Sequence, residues 1–267
     1  MKIGWWNTGL SPPKRGVAER VAQAGHSSTL KRLAAQGASL IGLCEVSAEQ
    51  LKHLEMPLGS FESRWGRVSC PARNLGLVFN REQWSVREEM SLTFKAHGQS
   101  GHAGWILRCK SRGRGTLRLV LLHWRTSAHH GGFVREGCAR QLRDAIEADP
   151  ATPTIVIGDF NCEPFDEHVT RYLGGTRDRQ MVVDRRAPFF NPFWSAGSDA
   201  ERPVWSSLRL SRPDPVQLSR WMLVDFGLVN APLLASRVSG EVLAEGEMTS
   251  DHWPVMLTLQ SPLEARE

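Results

Sequence analysis

The sequence predicts an α/β (α+β) protein, and three observations support that prediction. Short apolar stretches typical of buried strands recur along the chain, with amphipathic, helix-like stretches between them. The 267 residues, 41% hydrophobic and 23% charged, are enough to bury a substantial core. No repeat, low-complexity tract or linker-like segment divides the chain. We therefore expect a single domain spanning residues 1–267.

The first half of the chain is expected to hold strands joined by helices and turns. Residues 47–50 form a capping-box pattern, which predicts the start of a helix. Residues 74–80 and 105–110 are strand-like. The glycine-rich segment 112–115 predicts a hairpin turn that leads into a strand over residues 117–122.

The second half begins with a helix and ends with strands. Residues 133–148 carry apolar side chains at helical spacing, and the proline at position 150 ends that helix. A short helix is expected within residues 164–173. Residues 174–220, rich in Arg, Pro, Ser and Trp, are expected to form irregular, substrate-shaping loops. Strands over residues 221–229 and 253–259 complete the prediction.

Polar side chains stand at one end of most predicted strands. In a sheet flanked by helices, a side chain at a strand end leaves the core but stays rigidly held. Any one of these residues could be a turn former or an isolated polar group, but their recurrence predicts a site. The residues are Asn7 after strand 2–6, Glu45 after 39–44, His123 after 117–122, Asp159 and Asn161 after 154–157, Asp225 after 221–224, and Asp251 and His252 before 253–259.

Asp159 and Asn161 form the most informative of these pairs. They follow a fully apolar strand and are two residues apart, so in extended backbone they point the same way. Such a pair can hold a water, a metal ion or a phosphate oxygen.

Six short motifs occur in an order that matches a known family. They are Trp6-Asn7, Leu43-Cys44-Glu45, Leu122-His123-Trp124, Gly158-Asp159-Phe160-Asn161, Val224-Asp225-Phe226 and Ser250-Asp251-His252-Trp253-Pro254. Together they resemble the motifs of bacterial members of the endonuclease/exonuclease/phosphatase superfamily, which has the deoxyribonuclease I-like fold. The resemblance spans nearly the whole chain. It implies a four-layer α/β sandwich, in which two mixed β-sheets pack face to face with helices on the outer faces.

The resemblance also implies a hydrolase of phosphate esters that depends on a divalent metal. Oxygen ligands without a Cys/His cage suit Mg²⁺ or Mn²⁺. Asp159 and His252 would handle the attacking water, Asn161 would position the phosphate or the nucleophile, and Asp225 would orient His252. His123 would donate to a phosphate oxygen. The predicted catalytic residues are thus His123, Asp159, Asn161, Asp225 and His252, and the predicted metal residues are Glu45, Asn7 and Asp251.

The expected substrate is nucleic acid, either DNA or RNA. The net charge is +5, the pI is about 9.2, and 27 of the 33 basic residues are arginine, whose guanidinium suits phosphate. A GC-biased genome would produce the same arginine excess. The branches of the family that cleave abasic sites usually carry Tyr where His123 stands, so that branch is disfavoured. The arginines that motivate a polyanionic substrate are Arg112, Arg114, Arg177, Arg179, Arg185 and Arg186.

Two other functions stay open on the sequence. One is a phosphatase or phospholipase acting on inositol phosphates, sphingomyelin or another small phosphoester. The other is a non-catalytic binding module, against which the presence of the whole set of site residues argues. Trp124, Arg125 and Trp194 are predicted to contact substrate, whereas Trp5, Trp105, Trp221 and Trp253 lie in apolar strands and are expected to pack in the core.

Cysteine usage and the start of the chain predict a cytoplasmic location. The five cysteines show no C-x-x-C spacing, which fits reduced, packing thiols and not a zinc site. No leader-like segment is visible, and no apolar run reaches membrane-spanning length, so stable membrane insertion is not expected. The sequence does not identify protein partners.

Overall fold

The helices and strands of the protein were located in a computed structural model. The structure describes residues 1–10, 17–66, 75–96, 99–113, 115–124, 131–193, 208–209, 221–244 and 249–260. In this part of the chain the α-helices are α1 (Val17–Ala35), α2 (Ala48–Glu55), α3 (Gly131–Glu147) and α4 (Arg179–Val183). Short 3₁₀-helices cover Met56–Leu58 and Ala231–Ala235, and a π-helix covers His168–Leu173.

The strands of the described ranges are numbered in chain order. They are β1 (Lys2–Asn7), β2 (Ala38–Cys44), β3 (Phe61–Gly66), β4 (Leu75–Asn80), β5 (Trp84–Ala96), β6 (Gln99–Ser111), β7 (Gly115–His123), β8 (Thr154–Asp159), β9 (Gly175–Thr176), β10 (Phe189–Phe190), β11 (Leu208–Arg209), β12 (Trp221–Met222), β13 (Asp225–Val229), β14 (Arg237–Val242) and β15 (Val255–Gln260).

Two mixed sheets form the framework. Six strands pair in the order β14-β15-β1-β2-β4-β3, and seven pair in the order β5-β6-β7-β8-β13-β10-β9. We call these the first and second sheets. They pack face to face, and residues of both, such as Ile3 and Leu40 from the first and Leu119 and Val156 from the second, share one buried core. Burying each such side chain stabilises the fold by about 1.5–3 kcal/mol.

Helices cover the outer face of each sheet, which completes four layers. Leu30 and Leu33 of α1 and Leu51 of α2 pack with the outward-facing residues of the first sheet. Leu142 of α3 and Val169 of the π-helix pack against the second sheet. The predicted four-layer α/β sandwich is therefore confirmed. The predicted capping box is also present, since the Ser47 side chain accepts from the Gln50 backbone N–H and the Gln50 side chain accepts in return.

Strand directions bring the polar strand ends to one edge of the sandwich. β1 and β2 are parallel, with Asn7 beside Cys44, and β7 and β8 are parallel, with His123 beside Asp159. β13 runs antiparallel to β8 and β15 runs antiparallel to β1, so each begins at the edge where its neighbour ends. We call this shared edge the rim.

Three predicted elements differ from the structure. Residues 221–229 are not one strand: β12 pairs with β11 in a separate ribbon, and β13 starts only at Asp225. Asp225 thus begins a strand instead of ending one, and it reaches the rim because β13 is antiparallel to β8. The short helix predicted within residues 164–173 is a π-helix. The stretch predicted to be irregular contains β9, α4, β10 and β11 in its described part. Apolar residues of this stretch, such as Phe189, pack into the core.

Four cysteines of the described chain are buried and free: Cys44, Cys109, Cys138 and Cys162. Trp5 and Trp105 are buried, as expected, and Trp253 is half-buried. Within the described residues, every helix falls short of the length and hydropathy that crossing a membrane requires.

Gly158 allows β7 and β8 to approach closely, and replacing it should destabilise the protein. A Cβ at this position would lie 2.7 Å from Cβ of Leu122 and would also clash with the Leu122 carbonyl oxygen. We expect Gly158→Ala to lower the free energy of unfolding by about 1–3 kcal/mol in urea denaturation. The matched control is Gly137→Ala in α3, where a Cβ meets nothing within 4 Å. There alanine should raise stability by up to about 1 kcal/mol, and equal stability of the two variants would contradict the close approach.

Candidate active site

Asn7 lies at the centre of the rim and connects residues of both sheets. Its Nδ2 donates to Glu45 Oε1 and to Asp159 Oδ2, each at 3.1 Å. Its Oδ1 accepts from the Gly9 backbone N–H at 3.1 Å, which fixes the orientation of the amide. Nδ2 also lies 3.4 Å from Nε2 of His252. The Asn7 side chain is buried. Its Nδ2 thus has two carboxylates and one imidazole as neighbours.

His252 and Asp225 form a buried pair beside Asn7. Nδ1 of His252 donates to Asp225 Oδ2 at 2.6 Å, and the indole N–H of Trp5 donates to Asp225 Oδ1 at 2.8 Å. Burial lowers the pKa of His252, but the adjacent Asp225 carboxylate outweighs it and raises that pKa to about 10. The Asp225 carboxylate therefore favours the imidazolium form of His252, whose Nε2 lies at the rim.

The backbone around His252 is fixed by neighbours from β1. The indole N–H of Trp6 donates to the His252 carbonyl oxygen at 3.0 Å. Ser250 Oγ donates to the Asn7 carbonyl oxygen at 2.8 Å and accepts from the His252 backbone N–H at 3.2 Å. The segment before β15 is thereby tied to the end of β1.

Asp159 is a buried carboxylate with a raised pKa. Its Oδ1 accepts from the Asn161 backbone N–H at 2.8 Å. Burial raises the pKa of Asp159, the Asp225 carboxylate adds to this, and His252 and the hydrogen bonds oppose it, which leaves the pKa at about 7. Such a carboxylate can accept a proton near neutral pH.

Asn161 and Glu45 both have left-handed backbone conformations, with φ of 49° and 55°. Non-glycine residues rarely adopt this conformation, and such strain concentrates at functional sites. In Asn161 the turn is held by its Nδ2, which donates to the Trp124 carbonyl oxygen at 2.8 Å. In Glu45 the left-handed backbone conformation turns the side chain toward Asn7.

Glu45 and His123 complete the cluster on its open side. Nε2 of His123 lies 3.7 Å from Glu45 Oε1 and 3.7 Å from Asp159 Oδ2. The Glu45 side chain is 27% exposed, which makes it the most accessible of these carboxylates. Burial raises the pKa of Glu45, against the hydrogen bond from Asn7. Burial thus disfavours the charged form of both Glu45 and Asp159.

These residues fit a divalent cation through their oxygen atoms. Two groups of described residues bring their ligand atoms within 4.8 Å of one another: Cys44, His123 and Asp159, and Asp159, Asp225 and His252. Burial, together with the nearby Asp159, raises the pKa of the Cys44 thiol well above its usual value, so it stays protonated. Asp225 and His252 are already paired with each other. Glu45 lies beside both groups, and its partly exposed carboxylate offers the most accessible oxygen donor of the cluster; hard oxygen donors suit Mg²⁺ or Mn²⁺.

The remaining predicted site residues are placed less centrally. Asp251 is exposed, and its Oδ1 accepts from Ser250 Oγ at 3.3 Å. Trp124 is only 2% exposed, and its ring meets Phe160 edge-on, so it belongs to the core and offers no face for stacking on a substrate. Arg125 and Trp194 lie outside the described residues.

Two residues of this arrangement were missed by the sequence reasoning. Trp5 is expected to pack, and it does, but its indole N–H also donates to Asp225 Oδ1. Trp6, which the sequence singles out only as part of the Trp6-Asn7 motif, donates its indole N–H to the backbone carbonyl oxygen of His252. Their position directly before Asn7 was a usable signal, because side chains next to a strand end lie next to the site.

Several solved structures share this fold. The chain is similar to truncated TDP2 from Caenorhabditis elegans, with 18% identity, a TM-score of 0.69 and 97% of each chain covered. It is similar to an endonuclease/exonuclease/phosphatase family protein from Bacteroides thetaiotaomicron, with 13% identity, a TM-score of 0.68 and 97% of each chain covered. A mannosyl-6-phosphatase from Bacteroides thetaiotaomicron has 14% identity and a TM-score of 0.68, with 97% of this chain and 99% of that chain covered. No protein-family model and no curated protein matches the sequence. The protein therefore has the fold of the endonuclease/exonuclease/phosphatase superfamily.

Proposed function

We propose that this protein is a phosphoesterase that depends on a divalent metal and hydrolyses its substrate by in-line attack of an activated water. One observation supports this most: Asn7 joins Glu45 and Asp159 by 3.1 Å hydrogen bonds, directly beside the His252–Asp225 pair. Acidic, amide and imidazole groups from both sheets meet there at a single point. The fold adds support, since the similar proteins include one named as a phosphatase.

Glu45 would hold the metal ion, with Asn7 and Asp251 nearby in the metal or phosphate shell. A bound Mg²⁺ or Mn²⁺ would neutralise phosphate charge, lower the pKa of a water and steady the leaving oxygen. In the structure Asn7 directs N–H groups at Glu45 and Asp159. Its main contribution would therefore be to position the Glu45 carboxylate.

Asp159 and His252 would have different roles: Asp159 would accept a proton, and His252 would stabilise negative charge. Asp159, with a pKa raised to about 7 by burial and by Asp225, would accept the proton of the attacking water. His252, held as an imidazolium by Asp225, would donate from Nε2 to a phosphate oxygen as negative charge builds there. Two neighbouring groups with pKa values displaced in this way can act as base and acid in one step.

His123 and Asn161 would position the phosphate. Nε2 of His123 lies between Glu45 and Asp159, where it would donate to a phosphate oxygen. Asn161 holds the turn that follows Asp159 and would place the phosphate or the nucleophile. Asp225 would act through His252, as a positioning residue.

For the substrate we propose nucleic acid, and one structural observation favours a second candidate. The net charge of +5 supports a polyanion. However, Arg112 lies in the turn before β7, at the end of the sheet opposite the rim. Arg185 and Arg186 line a cavity of about 480 Å³ with Pro150 and Asn230, close to the start of β8. The six residues of β8 place that cavity roughly 16–20 Å from the rim.

The second candidate is a small phosphoester, such as a sugar phosphate, inositol phosphate or phospholipid head group. These described arginines lie at the end of the sheet opposite the rim, so they lend no support to a polymer bound at the rim. A compact substrate needs no such extended basic surface. The similarity to a mannosyl-6-phosphatase points in the same direction. Arg114 lies outside the described residues, and Arg179 is used internally, donating to the carbonyl oxygens of Leu234 and Ser236.

A single substrate panel tests the proposal and separates the two candidates. Plasmid DNA, single-stranded DNA, RNA, inositol phosphates, sugar phosphates and sphingomyelin would each be incubated with Mg²⁺ or Mn²⁺. We expect cleavage of at least one substrate, abolished by EDTA and by His252→Ala. Strand cleavage identifies the nuclease, and release of phosphate or phosphocholine from small substrates identifies the alternative. No turnover of any substrate by folded protein would refute the phosphoesterase proposal.

A further inference from the structure

The indole of Trp5 makes an unusual contact for a core residue. Its N–H donates to Asp225 Oδ1 at 2.8 Å, while the other oxygen of that carboxylate accepts from His252 Nδ1 at 2.6 Å. Trp5 and Asp225 are both fully buried. Hydrogen bonds to charged groups are the stronger ones, and burial strengthens them further.

The two donors on Asp225 come from the opposite sheet. Asp225 begins β13 in the second sheet, whereas Trp5 lies on β1 and His252 directly precedes β15, both in the first sheet. A carboxylate gripped through both oxygens cannot rotate about its Cβ–Cγ bond without losing one of these bonds. The Trp5 N–H therefore fixes the plane of the Asp225 carboxylate, and this carboxylate in turn fixes the imidazole ring of His252.

We propose that Trp5 is a positioning residue, whose indole N–H sets the Asp225 carboxylate and thereby aims Nε2 of His252 at the rim. This inference deepens the proposed function and rests on it for its effect on turnover. A packing role alone would need only the indole ring. A hydrogen bond from the indole N–H is not required of a buried tryptophan in this protein, because, among the residues that the structure describes, the Nε1 atoms of Trp65 and Trp105 are buried without a hydrogen-bond partner.

Trp5→Phe removes the indole N–H but keeps an aromatic ring at this position, and the chain provides a matched control. Trp84 is another buried tryptophan, and its Nε1 donates to Ser39 Oγ at 3.0 Å, at the end of the sheets opposite the rim. Trp84→Phe therefore removes the same atoms and one hydrogen bond, far from His252. Any loss of activity that follows from core packing alone should appear in both variants.

The first measurement is steady-state hydrolysis of whichever phosphoester the substrate panel identifies. We expect Trp5→Phe to lower kcat by about tenfold or more with little change in KM, since a hydrogen bond to a charged group is lost without touching the substrate. Trp84→Phe should keep the parent kcat. Equal kcat values for Trp5→Phe and the parent would overturn the proposal.

The second measurement does not depend on turnover. In the proton NMR spectrum of the metal-free protein, the hydrogen-bonded His252 Nδ1 proton should shift or broaden in Trp5→Phe and stay unchanged in Trp84→Phe. If Trp5→Phe does not fold, Asp225→Asn replaces it as the test variant. The signal measured is then the indole N–H resonance of Trp5, and Ser39→Ala is the control variant. An unchanged His252 signal, or an unchanged Trp5 signal in Asp225→Asn, refutes positioning. Absence of turnover in the parent protein refutes only the proposed function.

Discussion

His252→Gln is expected to reduce kcat for phosphoester hydrolysis by about 10²–10³-fold, the usual cost of losing one donor to a developing negative charge. The substitution removes the cationic donor at the rim and leaves the buried Asp225 carboxylate without its charged partner. Because the metal would be held mainly by Glu45, divalent-ion affinity should change much less than kcat. Initial rates at saturating substrate, together with calorimetric titration of Mg²⁺, measure the two quantities separately.

A second histidine–aspartate pair supplies the control for this prediction. Nδ1 of His168 lies 2.6 Å from Asp166 Oδ1, at the start of the π-helix and outside the cluster around Asn7; the imidazole is about as buried as that of His252, whereas Asp166 is more exposed than Asp225. His168→Gln should therefore keep the parent kcat. A His252→Gln enzyme that turns over within tenfold of the parent would remove His252 from the proposed mechanism.

Glu45→Gln is expected to weaken Mg²⁺ or Mn²⁺ binding by about a hundredfold or more and to abolish turnover at low metal concentration. Even residues that only support a metal ligand cost about 10–100-fold in affinity when they are replaced, and Glu45 is the proposed ligand itself. The amide keeps the size of the side chain but removes the charge that attracts the cation. Calorimetry measures the affinity, and raising the metal concentration should partly restore the rate.

Glu49→Gln makes the same change of charge four residues away. Glu49 is exposed in the first turn of α2 and does not take part in the cluster around Asn7. Its substitution should leave metal affinity unchanged. If Glu45→Gln bound the cation as tightly as Glu49→Gln does, the metal site would have to be built from other residues.

The sandwich and the convergence of polar strand ends could be predicted from the sequence because each depends on a local pattern. A fully apolar run such as residues 154–157 marks a buried strand, and a polar residue just after it must lie at an edge of the sheet. Asn7, Glu45 and His123 follow the same rule. Parallel pairing then brings these ends together.

Other features depended on the direction and position of elements, which no local pattern encodes. Asp225 was assigned to the end of a strand, but only pairing against β8 shows that it begins one. Trp124 sits beside His123 in sequence yet turns into the core. The sequence shows that the loops carry arginines, but only the fold shows that Arg185 and Arg186 line a cavity near the start of β8, at the end of that strand opposite the rim.

The pairing of β1 with β15 has a consequence for biosynthesis. β1 is made before every other described strand, whereas β15 and the histidine just before it are made after all of them. Until translation of these strands is finished, β1 of a nascent chain therefore lacks its partner β15, and the cluster around Asn7 lacks His252. The proposed hydrolytic activity would thus be withheld from incomplete polypeptides, and the unpaired edge of β1 is a segment that a chaperone would need to shield.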